Sequence, residues 1–136
     1  MKQEQSIADA ERIRQLLLAW ATATRTGAHD AILQGHDPDV LVYDVLPPLL
    51  YRGADAYRAS WSDWQPQTQG EDTFEFTELK VVAGSEVAFA SGLIKCGGTL
   101  QGGRTFEDLV RATFCLQKRS GEWLVTHQHI SKPAGA

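Results

Sequence analysis

The sequence predicts an α+β fold, helices first and an antiparallel sheet last, from two observations. Apolar side chains recur at helical spacing between residues 6 and 26, and from Thr73 onward the period changes to two, with turn residues separating the runs. The chain has 136 residues, 43% hydrophobic and 22% charged. That is the size and make-up of one soluble globular domain, so 1–136 reads as a single unit, with about 1–5 and 132–136 expected to be flexible.

Each element has a local cause. Ile13, Leu16, Leu17, Trp20 and Ala21 form the apolar stripe of the first helix, with Ser6 as its expected N-cap and Gly27 as its stop. A short helical stretch from Ala28 to about Gln34 follows. Asp39 to Leu46, rich in β-branched and aromatic residues, reads as a strand ended by Pro47-Pro48, and Leu49 to Arg52 as a second short strand. After Gly53, Tyr57, Trp61 and Trp64 fall on one face of a helix that Pro66 should end. Strands are expected near 73–83, 86–96, 105–118 and 122–131, with turns at Gly84-Ser85, within Gly97 to Gly103, and at Lys118 to Gly121.

The last turn sets an expected register. A type I turn with a glycine bulge would pair Lys118 with Glu122, Arg111 with His129 and Thr113 with His127. One face of the hairpin then carries Val110, Ala112, Phe114, Leu116, Leu124, Thr126, Gln128 and Ile130 toward the helices. Arg111, Thr113, Cys115, Trp123, Val125, His127 and His129 share the other face, which is too apolar for free solvent. Arg111, Thr113, Trp123, Val125, His127 and His129 are therefore expected at a homodimer interface.

Composition excludes several classes of function. A formal net charge of -4 without a basic run argues against nucleic acid or an anionic membrane as partner. No run of about 18 apolar residues and no secretory h-region is present, so a cytoplasmic protein is expected. Cys96 and Cys115 lack zinc-ligand spacing, and His127-x-His129 has no third ligand in the expected register, so neither a metal nor a cofactor is expected.

The first helix with Trp20 and Gly27, a strand ending in Asp44 before prolines, Tyr51-Arg52-Gly53-Ala54-Asp55-Ala56, a Trp-bearing helix, Arg111-x-Thr113, and Gly121-x-Trp123 with His127-x-His129-x-Ser131 run in a telling order. This order resembles the SnoaL-like and ketosteroid isomerase-like branch of the nuclear transport factor 2-like (NTF2-like) superfamily. The resemblance covers nearly the whole chain. It implies a cone-shaped barrel, with a strongly curved, mostly antiparallel sheet around the N-terminal helices, an apolar pocket open at one end, and dimers formed through the outer sheet face. It also places the isomerases' general-base aspartate at Asp44, their donor tyrosine at Trp20, their second acid near Ala112 or Thr113, and a pocket aromatic at Trp61.

Asp44 is accordingly the candidate catalytic residue, a carboxylate whose desolvation in an apolar pocket would raise its basicity. The structural alternative is that it caps the Pro47-Pro48 turn or pairs with Arg52. The expected pocket comprises Trp20, Trp61, Tyr57, Phe89, Ser91, Ala112, Phe114, Thr126 and Gln128, with the Trp20 indole or the Gln128 amide as donor. Two functions remain open: a cofactor-free isomerase or cyclase-type enzyme moving a proton on a small apolar carbonyl compound, and a non-catalytic ligand-binding or dimeric interaction domain.

Overall fold

The structure, a computed structural model, describes residues 2–64 and 68–135, and the side chains of all of these except 62–71. The order is α1 (Lys2–Thr26), α2 (His29–Ile32), β1 (His36–Tyr43), β2 (Tyr51–Arg52), α3 (Ala54–Trp64), β3 (Thr68–Ala83), β4 (Val87–Leu100), β5 (Thr105–Arg119) and β6 (Glu122–Ser131). These strands make one six-stranded sheet in the order β2-β1-β6-β5-β4-β3, antiparallel except where β1 lies parallel to β6. The α+β plan expected from the change of period is the one observed.

α1 begins at Lys2, inside the stretch expected to be flexible, so Ser6 is not its N-cap. Its hydroxyl instead donates to the Ala83 carbonyl at 2.8 Å and ties the helix to the end of β3. Gly27 ends the helix at φ +71, a conformation that costs glycine little. The buried stripe Ile13, Leu17 and Trp20 packs into the concave face of the sheet against Ala90, Ile94, Val110, Ala112, Phe114, Leu116 and Val125. Strand β3 is bulged at Glu78, φ 57, which moves the inward positions from Phe74 and Phe76 to Leu79 and Val81 and helps bend the sheet around α1. Gly97 and Gly98 belong to β4, and the turn lies beyond Leu100. The expected helix end at Pro66, and the side chain of Trp64, lie outside the described residues.

The last hairpin departs from its expected register. Ser120 and Gly121 both have positive φ, 51° and 79°, so the loop is a two-residue type I′ turn that pairs Arg119 with Glu122 and Lys118 with Trp123. A bulge at Thr126 then shifts the pairing again, giving Cys115 with His127, Thr113 with His129 and Arg111 with Ser131. Because each one-residue shift exchanges the two faces, Trp123 and Val125 turn inward, at 3% and 0% exposure. They are core residues and not interface residues. Arg111, Thr113, His127 and His129 remain on the outer face.

Candidate functional site

Asp44 is the first residue after β1, where the chain leaves the sheet ahead of the Pro47-Pro48 peptide. Its Oδ1 accepts the Val45 backbone N–H at 2.7 Å, and its Oδ2 accepts the Tyr57 hydroxyl at 2.9 Å. The Val45 bond holds the entry to the proline turn, and among the described residues Asp44 forms no ion pair with Arg52. Tyr57 comes from the buried face of α3 and is wedged between Tyr51 and Trp61, whose ring centroids lie 5.2 and 5.5 Å away. The i, i+4 spacing on α3 places Trp61 beside it, with the His29 ring 5.2 Å beyond.

Asp44, Val45, Tyr57 and Trp61 line a cavity of about 150 Å³. Trp20 and Thr24 of α1, Ile32 of α2, Asp44 and Val45, Tyr57 and Trp61 of α3, and Phe74, Cys96, Val110 and Ile130 of the sheet enclose it. Most of the wall is apolar. Trp20 is fixed by edge-on contacts with Phe74 and Phe114, at 5.4 and 5.1 Å, and its buried Nε1–H has no hydrogen-bond partner. A cavity of this size accepts a guest about as large as one benzene ring, and is smaller than the several hundred Å³ typical of drug-sized ligands.

The electrostatics follow from the burial. Desolvation pushes the Asp44 carboxyl above its ordinary 3.8, only partly opposed by the hydrogen bonds from Val45 and Tyr57. Burial, and then the neighbouring Asp44 carboxylate, push the Tyr57 phenol well above 10, so it stays protonated and donates. Burial, reinforced by Asp108, also raises the Cys96 thiol, which disfavours the nucleophilic thiolate.

The other expected pocket residues divide by face. Ala112 and Phe114 are buried on the inner face, but neither lines the cavity. Phe89 is 51% exposed and pairs with Cys115 on the outer face, and Ser91 is exposed opposite Thr113. Both were placed inward by a parity that β4 does not have. Thr126 is the bulge residue, and its hydroxyl donates to the Cys115 carbonyl at 3.3 Å. Gln128 is fully buried away from the cavity, with its Oε1 3.0 Å from His36 Nε2, so its partner is neither Asp44 nor a pocket group.

Thr24, Ile32, Val45, Phe74, Cys96, Val110 and Ile130 were not anticipated. A signal existed for two of them: Phe74 and Cys96 are cross-strand partners with period-two neighbours Phe76 and Ile94 on the same face. Among the described residues no three His, Cys, Asp or Glu side chains gather as a metal site, and no helix is long and apolar enough to cross a membrane.

Comparison with known proteins agrees with this architecture. A family model described as a SnoaL-like domain matches residues 13–135. An NTF2-like protein of unknown function from Pseudomonas putida KT2440 is 30% identical over 94% of this chain and 89% of that one, with a TM-score of 0.83. A ketosteroid isomerase-like protein from Erwinia carotovora atroseptica SCRI1043 is 18% identical, covering 93% of this chain and 97% of that one, with a TM-score of 0.76. The association domain of C. elegans CaMKII is 13% identical over 95% of this chain and 99% of that one, at a TM-score of 0.75. The last two show likeness of fold alone. No curated protein matches the chain.

Proposed function

The chain belongs to the SnoaL-like domain family, and from that premise we propose that it is a homodimeric pocket protein in which Asp44 serves as a cofactor-free general base on a small apolar carbonyl compound. One observation carries the reading: a carboxylate, held by Tyr57, stands in an apolar cavity that raises its pKa. In the reaction, Asp44 takes a proton from the carbon next to the carbonyl. The C–H electron pair becomes the enolate double bond, and negative charge moves to the carbonyl oxygen. Trp20 supplies the donor for that oxygen, because its indole N–H is buried, unpartnered and part of a residue on the cavity wall. The proton then returns to the same or a conjugated carbon, giving exchange or isomerisation with no net oxidation.

The cavity volume selects a compound with about one ring and disfavours a fused-ring substrate. Pairing between two copies would cover the outer face of β3, β4 and β5, where Val82, Val87, Phe89 and Leu109 are 42–62% exposed beside Thr113.

A panel of one-ring enolisable ketones in heavy water, followed by proton NMR, tests the reading. Wild-type protein should exchange the α-hydrogens of at least one compound, and Asp44→Asn should lower that rate by about 10²–10⁴-fold while binding persists. Exchange no faster than the Asp44→Asn background for every compound that binds would leave a binding role in its place.

A further inference from the structure

A second cleft, of about 400 Å³, adjoins the cavity and shares Asp44, Val45 and Ile130 with it. Its remaining walls are His129, Ser131 and Lys132 at the end of β6, with Pro133 and Gly135 after it. Where the inner cavity is apolar, this one offers hydrogen-bond donors. Lys132 Nζ donates to Asp108 Oδ1 at 2.9 Å, which steadies the ammonium and leaves two of its three N–H groups open. Ser131 Oγ accepts from Arg111 Nε at 3.2 Å, so its O–H is free to donate. The His129 ring packs edge-on against Tyr43 at 5.2 Å and, among the described residues, has no hydrogen-bond partner. The charged and titratable groups at the cleft are thus Lys132, His129 and, at its junction with the cavity, Asp44, backed by Asp108 and Arg111. Among the described residues no basic side chain lines the inner cavity.

We propose that this cleft is a subsite for an anionic tail, so that the ligand is a carbonyl compound with one apolar ring at its inner end and a carboxylate at its outer end. The inference rests on the proposed role of Asp44, which would meet the carbonyl segment between the two ends. Two donor N–H groups on a steadied ammonium, a serine hydroxyl and an imidazole match the acceptor-only chemistry of a carboxylate. The neighbouring Asp44 sets the tail's distance, because two carboxylates in contact repel.

The probes are 4-oxo-5-phenylpentanoic acid and its primary amide, which share the ring and the enolisable carbonyl and differ only in tail charge. Calorimetry at pH 7.5 should show the acid binding about tenfold tighter than the amide. Lys132→Met should remove the preference by weakening only the acid, and raising the salt from 50 to 300 mM should shrink it in the wild type. Equal affinity for acid and amide, binding of neither, or equal weakening of both by Lys132→Met would overturn the subsite. Solvent exchange at the benzylic carbon is read separately. An acid preference without exchange keeps the subsite and removes the role of Asp44 as base, and exchange without an acid preference does the reverse.

Discussion

The Asp44–Tyr57 hydrogen bond opposes the burial that makes the carboxylate basic. Without the phenol donor, burial faces one hydrogen bond in place of two, so Tyr57→Phe should move the acidic limb of the exchange rate to higher pH. It should also lower kcat more than it raises KM, because the carboxylate loses its fixed orientation. An unchanged pH profile would show that Tyr57 only fills space. His36 is set by the same competition with the opposite charge. Burial depresses its pKa below 6.5 against the contacts to Gln128 and Gln34, so the folded chain binds its proton more weakly than the unfolded chain. Its contribution to stability is present above 6.5 and is lost as pH falls through the folded pKa. Thermal unfolding of wild type and His36→Gln between pH 7.5 and 5 checks the sign: the variant should lose less stability than the wild type. Helical spacing put Tyr57 and Trp61 on one face of α3, and the resemblance to the ketosteroid isomerase-like branch singled out Asp44, Trp20 and Trp61; all four line one cavity. The Tyr57–Asp44 bond could not be read, because it joins a helix to a strand end through the path of the intervening corner.

Elements are joined in this fold by buried polar contacts as well as by apolar packing. Asp9 of α1 accepts the Trp123 Nε1–H at 3.1 Å, and Gln5 and Lys118 add to it, linking the helix to the last hairpin. Burial alone would raise this carboxyl, but the hydrogen bonds from Trp123, Gln5 and Lys118 and the charge of Lys118 together hold it below 3.8. Asp9→Ala leaves a buried indole N–H unpaired, and chemical denaturation should report a loss of roughly 1–3 kcal/mol at pH 7. Because the folded pKa is depressed, the difference should shrink as pH falls below 3.8. A midpoint equal to wild type would mean the link carries no stability. The sequence shows that strands are present here but not how they are registered. A period of two marks a strand, yet the choice between a three-residue bulged turn and the Ser120-Gly121 type I′ turn moves every residue beyond it by one. That single step put Trp123 and Val125 on the wrong face, and the Thr126 bulge, a second step, returned His127 and His129 to the outer one. Phe89 and Ser91 failed for a related reason, since alternation in β4 is hidden by alanines and glycines on its inner side.

At the scale of the molecule, one face of the sheet wraps the core and the other leaves Phe89, Leu109 and Thr113 exposed on β4 and β5. If a second copy covers that face, Phe89→Lys should convert a dimer to a monomer in sedimentation velocity without changing the unfolding midpoint of the isolated chain. A wild-type monomer at tens of micromolar would contradict the pairing. The cone arrangement follows from features of the sequence that survive errors of register: an amphipathic helix first, long strands last, and glycine and bulge positions that let those strands bend. The proposed chemistry depends on one partly buried carboxylate, Asp44. The most direct test is the carbon-13 NMR titration of the Asp44 carboxyl group, assigned by its disappearance in Asp44→Asn. A midpoint above 3.8 that rises further in Tyr57→Phe is the result expected of a desolvated base restrained by a phenol. A midpoint at or below 3.8 would mean that hydrogen bonds outweigh burial, and Asp44 would then be a structural carboxylate and not a base.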